Sequence, residues 1–369
     1  MFRMIFSSAL VLIANISPAQ EVVLRFMGDM QRVYNQTVAY IKSMPEKPSA
    51  KDTGYIVGQD ALLSTMANSV YEDGSLNDKK MMLYNTTTMH YRVGKALYKA
   101  GYDKAAYMRF YKPYADQMKY LIQDGWFPLT YQTDSFEYNV TEKNFQNISS
   151  GFYNDLLFLT LKYGTLNEAF PVYGKLSTLK GNSHYNKYVG SWMMINAMMQ
   201  KDFSTLDGGD KDVLVRSILR DEIIQLANCD ESEKKEIATW GLPDRAGQYE
   251  KVKMVLKKFD STYDTYNYEK VAGAYWEVKD TAKAAEFYMV AVKGSGYISS
   301  TSLHIASDVA LATKDKVLGE GIFKRFEDQD LSSYDLSQIA WLYDNLMGDP
   351  KKAKEYYKRS NKKFKKEHH

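Results

Sequence analysis

An all-α protein, built as an α-solenoid of stacked helical hairpins, is the fold class this sequence predicts. Apolar residues recur at helical spacing through most of the 369 residues, and only eight prolines are present to interrupt them. Beyond residue 260, a five-position pattern of small and aromatic side chains returns at intervals of 35 and 33 residues, a length that holds two helices and their turns. At 45% hydrophobic and 25% charged residues, the composition is that of a folded protein. A net charge of only +3 argues against nucleic acid as a partner.

Taken in order, the chain opens with Arg3, a short apolar stretch from Met4 to Ile16, and the small residues Ser17-Pro18-Ala19. This reads as a secretory signal peptide over 1–19, cut before Gln20, and predicts an exported protein, periplasmic or extracellular. No later run is long and apolar enough for a transmembrane segment. Glu21 to Met44 is expected as a helix stopped by Pro45 and Pro48, Ala50 to Gly58 as a loop, and Gln59 to Tyr71 as a second helix. A hairpin follows, Met81 to Ala100 and Asp103 to Ile122, turning at Gly101-Tyr102. Over 125–150 the helical period gives way to alternation at Leu129, Tyr131 and Thr133, then Phe136, Tyr138 and Val140. That pattern predicts an irregular insertion with a small hairpin around Thr133-Asp134-Ser135. Helices resume over Gly151 to Tyr163, Leu166 to Leu179 and Tyr185 to Gln200.

Paired glycines in Leu206-Asp207-Gly208-Gly209-Asp210 leave no packing surface. They divide the chain into an N-terminal helical domain, 20–205, and a C-terminal helical-repeat domain, 212–369. Asp212 starts a helix whose row Val215, Leu219, Ile223 and Ala227 is apolar. At its end stands Cys229, the single cysteine, read as a small buried hydrophobe.

The repeat itself is Ala272, Tyr275, Ala284, Tyr288 and Ala291. The same offsets recur at Ser307, Ala310, Gly319, Phe323 and Phe326, and at Ala340, Tyr343, Ala353, Tyr357 and Ser360 with one residue added in the turn. Small residues at facing positions let two helices approach closely, and the rings fill the space to the next hairpin. Neither helix can bury its stripe alone, so neighbours must stack. These positions, with the turns Val278-Lys279-Asp280 and Met347-Gly348-Asp349-Pro350, resemble tetratricopeptide repeats over about 265–298, 300–331 and 333–365. Glu231 to Phe259 reads as a further hairpin one period earlier. Gly94, Leu97, Ala106, Phe110 and Pro113 keep the same offsets, with Pro113 expected to kink its helix.

The resemblance implies a groove lined by the first helix of each hairpin, and places Tyr266, Glu269, Trp276, His304, Asp308, Tyr334, Trp341 and Asp344 on it. Tryptophan and tyrosine there supply rigid anchors for a protein or peptide partner. Family members that grip a C-terminal carboxylate do so with paired Lys and Asn, whereas Glu269, Asp308 and Asp344 stand here, which implies a basic or neutral ligand. No phosphate-binding glycine loop, H-E-x-x-H or G-x-S-x-G occurs. His90, His184 and His304 are far apart in sequence, so no catalytic, cofactor or metal site is assigned. The expected function is therefore a non-catalytic exported binding scaffold. The alternative is a glycan-binding or glycan-cleaving protein using the aromatic and acidic insertion, with Asp134, Glu137, Glu142 and Asp155 as candidate acids. From Pro350 onward nine Lys and Arg face two Glu, which fits either a solvated last helix or association with an anionic envelope surface.

Overall fold

A computed structural model describes residues 18–69, 76–118, 129–133, 136–140, 142–179, 182–200, 208–259, 264–294, 296–327 and 329–367. All but the last two residues of the expected signal segment lie outside them. Among the described residues the chain is all-α with one two-stranded hairpin, and it divides into two compact units, Met1–Asn182 and Ser183–His369. The glycine pair at Gly208-Gly209, read from sequence as the boundary, lies within the second unit, and the helices flanking it pack against each other.

In the first unit, α1 (Pro18–Ser43), α2 (Ala50–Asn68) and α3 (Leu76–Lys99) pack on one another. The expected loop over 50–58 is helical. Ser49 Oγ accepts from Asp52 N while Asp52 accepts from Ser49 N, and this reciprocal box starts α2 ahead of Gln59. Gly54 and Gly58 weaken helix propensity but stand on an open side, while Ile56, Leu63 and Ala67 turn inward.

After Gly101 the chain forms α4 (Asp103–Ala106), which widens into a π-helical turn over Tyr107–Tyr111. Lys112 N donates to Tyr107 O at 3.0 Å, one residue further back than in an α-helix. Pro113 follows at once: it has no N–H and its ring would clash with the carbonyl four residues earlier, so the expected kink takes this form.

Strands β1 (Leu129–Thr133) and β2 (Phe136–Val140) pair antiparallel, from Leu129 opposite Val140 to Thr133 opposite Phe136. The insertion is shorter than the expected 125–150, because α5 (Glu142–Tyr163) begins inside it. Gly151 does not start that helix but lies within it, where an added Cβ would stand 2.5 Å from the Tyr91 hydroxyl. Then α6 (Leu166–Thr178), started by a Thr165–Glu168 box, packs on α5.

In the second unit, α7 (His184–Gln200) pairs with α8 (Gly208–Asn228). The segment 231–259 is not the self-contained hairpin the sequence suggested. Its short α9 (Glu231–Thr239) packs on α7, and α10 (Arg245–Phe259) packs on α7, α8 and α11 (Asp264–Glu277). Cys229 is buried among Tyr188, Leu226 and Ile237, and burial pushes its thiol up to about 12.

Three helix pairs complete the unit: α11 with α12 (Thr281–Lys293), α13 (Ser300–Thr313) with α14 (Lys316–Glu327), and α15 (Ser333–Leu342) with α16 (Pro350–Glu367). The first helices α11, α13 and α15 touch in succession, and α12 touches α14. All five positions of the first two repeats are buried. In the third, Tyr357 is 36% exposed where its counterpart Tyr288 is 1%, because no described hairpin covers α16. Gly319 belongs to this interlock: an added Cβ would lie 2.7 Å from Leu346 Cδ2.

A shared turn joins each pair. Lys279, Lys314 and Gly348 take left-handed conformations, with φ of 62°, 56° and 70°. The next amide then reaches back, Asp280 N to Tyr275 O, Asp315 N to Ala310 O and Asp349 N to Tyr343 O. Asp280, Asp315 and Asp349 each accept from the backbone N–H three residues on and so start the following helix. The residue added in the third repeat is absorbed by a π-helical turn over Tyr343–Met347. In the first unit Gly101 (φ 88°) and the bond from Tyr102 N to Leu97 O repeat the motif at the equivalent position. Left-handed backbone costs a non-glycine residue about 1 kcal/mol. Lys314→Gly is therefore expected to stabilise the protein by roughly 0.5–1 kcal/mol in denaturant unfolding; an unchanged or lowered midpoint would show that this strain is absent.

Candidate functional site

The face in question is formed by α11, α13 and α15, and its geometry starts from how α13 and α15 begin. Ser332 Oγ accepts from Asp335 N at 3.1 Å, and Asp335 Oδ2 accepts in return from Ser332 N and Oγ. The other oxygen, Asp335 Oδ1, accepts from Ser300 Oγ and lies 2.8 Å from His304 Nε2. Burial alone would raise this carboxyl, but the Ser300 and Ser332 hydrogen bonds and His304 outweigh it and hold it below the usual carboxylate range. Asp335 is thus a fixed negative charge tying α13 to α15.

Two residues along α13, Ser302 Oγ donates to Glu269 Oε1 on α11. Glu269 is 2% exposed and its Oε2 has no hydrogen-bond partner. Burial pushes its pKa up, opposed by Ser302, Lys270 and Arg216. Glu269 therefore belongs to the seam and not to the open face where the repeat register had placed it. It faces sideways toward the next first helix, which a position within the repeat does not reveal.

His304 is also half withdrawn, edge-on to Tyr334 at 4.6 Å between ring centroids. Ser300, His304 and Asp335 together have the composition of a nucleophilic triad but not its wiring. Ser300 Oγ and Asp335 Oδ1 both approach the same His304 nitrogen, at 3.5 and 2.8 Å, whereas a relay uses opposite nitrogens. The cluster fixes the position of a ring.

That ring is Tyr334, 59% exposed, with its hydroxyl accepting from Gln338 Nε2 at 3.2 Å. Trp341 lies two turns on along α15, 38% exposed, with Asn345 Nδ2 donating to its carbonyl. Asp344, in the π-helical turn that follows α15, and Asp308, on α13, are exposed. Burial raises the Asp308 pKa, and His304 opposes the shift. Trp276 is half-buried, with Lys279 Nζ 5.7 Å from its ring. The side chain of Tyr266 lies outside the described residues.

The structure thus leaves Tyr334, Trp341, Asp344 and Asp308 exposed, with His304 and Trp276 half-buried and Glu269 enclosed. The residues that organise the face, Ser300, Ser302 and Asp335, escaped the sequence reading. Ser332-x-x-Asp335 is a capping pattern that announces Asp335 as a helix-start residue, but nothing in it announces the contact with α13.

Of the acids considered for a glycan site, Asp155 on α5 accepts from Tyr111 at 2.9 Å and Tyr91 at 3.4 Å and lies 3.8 Å from Lys95 Nζ. Burial raises its pKa, with Lys95 and both tyrosines opposing. It is committed within the first unit. The side chains of Asp134, Glu137 and Glu142 lie outside the described residues. Among the described residues no group of three or more His, Cys, Asp or Glu converges as metal ligands, and no helix is long and apolar enough to cross a membrane. No protein-family model matches this chain, and no curated protein matches it.

Proposed function

We propose that this protein is a non-catalytic binding scaffold that recognises a protein or peptide segment along the first helices of its C-terminal, tetratricopeptide-like repeats. The observation that carries this reading is the pair Tyr334 and Trp341. Two large rings on one face of α15 remain open to solvent while the groups around them are hydrogen-bonded in place. Anchors of this kind lose little entropy on binding. The flanking Asp308, Asp344 and ionised Asp335 favour a segment with basic or neutral side chains. Export through the signal segment is part of the same proposal, as is attraction of the lysine-rich outer side of α16 to an anionic envelope surface.

Selection from a displayed peptide library tests it. Binders enriched in Lys or Arg beside apolar residues are expected, and Tyr334→Ala and Trp341→Ala should each weaken them about 10- to 100-fold. Trp276→Ala should cost less. Binders that bind the Tyr334→Ala/Trp341→Ala double variant with unchanged affinity would remove this face from consideration.

A further inference from the structure

A different part of the molecule, in the first unit, carries a second set of unused interactions. Between α1 and α3 lies a cavity of about 340 Å³, lined by Tyr34, Val38 and Lys42 from one side and by Arg92, Lys95, Ala96, Lys99 and Ala100 from the other. Tyr34, Val38 and Ala96 give it a half-buried apolar wall, and four cationic side chains stand around it.

Ordinary structural roles explain only part of this charge. Lys42 and Lys99 occupy the last turns of their helices, where a cation complements the helix dipole. Lys95 donates to Tyr91 and lies 3.8 Å from Asp155, whose field also reaches Lys99. Arg92 has neither role. It stands mid-helix with no ion pair or hydrogen bond among the described residues, on the same side of α3 as Lys95 and Lys99. Like charges three and four residues apart disfavour a helix by a few tenths of a kcal/mol each. Lys42 approaches the same space from α1 and has no carboxylate partner among the described residues. Asp155 is the one carboxylate within ion-pair distance of this group among the described residues, so four cations face one close carboxylate.

We propose that this cleft binds a small organic anion with an oxyanion group of the phosphate-monoester or sulfate-ester type, on a compact apolar body. The Arg92 guanidinium and the Lys42 ammonium hold the oxyanion from the two helices. Lys95 and Lys99 add field, and Tyr34, Val38 and Ala96 take the body. The volume lies at the lower end of small-molecule sites, which limits the body to about one ring. The site is independent of the face on α15, because all its residues lie in the other unit.

Phenyl phosphate, phenyl sulfate, inorganic phosphate and phenol, titrated calorimetrically into the full chain, test the assignment. One or both phenyl esters are expected to bind saturably at one site, and their relative affinities identify the oxyanion. Inorganic phosphate should bind about tenfold or more weakly, and phenol not at all. Arg92→Gln and Lys42→Gln should each weaken the ester about tenfold or more. Arg92→Gln should not lower thermal stability, because it removes an exposed mid-helix charge, and Lys42→Gln should lower it only slightly, through the loss of one last-turn cation. Affinity should fall with added salt. Tyr334→Ala and Trp341→Ala should leave ester binding unchanged, which separates this site from the peptide face. No saturable binding by either ester, or equal binding by the Arg92→Gln/Lys42→Gln double variant, would overturn the proposal.

Discussion

Glu222→Gln is expected to raise stability by about 3 kcal/mol at pH 7 and to remove a marked pH dependence of unfolding. Glu222 lies inside the second unit at 0% exposure, and burial pushes its carboxyl from the ordinary 4.5 up to about 8, opposed by Ser191 and Lys251. Its surroundings suit the protonated form. Ser191 Oγ lies 2.5 Å from Glu222 Oε2 and 2.9 Å from Tyr188 O. Ser191 has one proton for two acceptors: it donates to Glu222 only when that carboxyl is ionised, and when Glu222 is protonated the carboxyl donates to Ser191 and the serine proton goes to the Tyr188 carbonyl. The positive charge of Lys251 is directed elsewhere, its Nζ donating to Asn196 Oδ1 at 2.7 Å.

The sign follows from proton counting. Below the unfolded value both states hold the proton. Between about 4.5 and 8 only the unfolded chain releases it, so stability falls as pH rises, by about 1.4 kcal/mol per unit. Above about 8 both states are ionised and the loss levels off. Denaturant unfolding at pH 5, 7 and 8.5 checks this. Other groups titrate as well, so the informative quantity is the difference between wild type and variant, which should widen across that interval. A constant difference would show that Glu222 is ionised in the folded protein.

Gly94→Ala and Gly58→Ala are expected to have opposite signs, although both glycines are in helices. Alanine in a helix interior gains about 1 kcal/mol over glycine. At Gly58 nothing lies within 4 Å of the added methyl, so the gain is kept. At Gly94 the new Cβ would stand 2.6 Å from Phe110 Cβ and 3.3 Å from the Tyr111 ring. The near atom belongs to the base of a fully buried side chain and cannot swing away, so α3 and the π-helical turn must separate. Overpacking of this kind costs about 1–3 kcal/mol, which outweighs the propensity gain. Thermal unfolding should place Gly58→Ala above wild type and Gly94→Ala about 2–6 °C below it. A stabilised Gly94→Ala would mean that the two helices are not in contact there.

The same close approach explains what could be read early and what could not. Ala272, Ala284 and Ala291, with Tyr275 and Tyr288 between them, are chosen by contacts inside one hairpin and with the next, so their spacing is written into the chain at the repeat period. The turns are equally local. In each of the three repeats an Asp that starts a helix directly follows the left-handed residue. Where local signals conflicted, the reading failed. The loop expected over 50–58 is a helix, made by the Ser49–Asp52 box and the inward Ile56, Leu63 and Ala67 despite Gly54 and Gly58.

By itself, the sequence determined the helical class, the hairpin period, the small-and-aromatic interlock and the turns that set each pair, because each depends on residues at most one repeat apart in the chain. Tertiary structure alone decided that Glu269 is enclosed while Tyr334 and Trp341 stay open, that Ser300 and Ser302 hold carboxylates on opposite neighbours, and that Lys42 meets Arg92 across a cleft. Those outcomes depend on how far each helix turns about its axis against its neighbours. That rotation is set by the summed packing of many side chains, and no single position in the sequence records it.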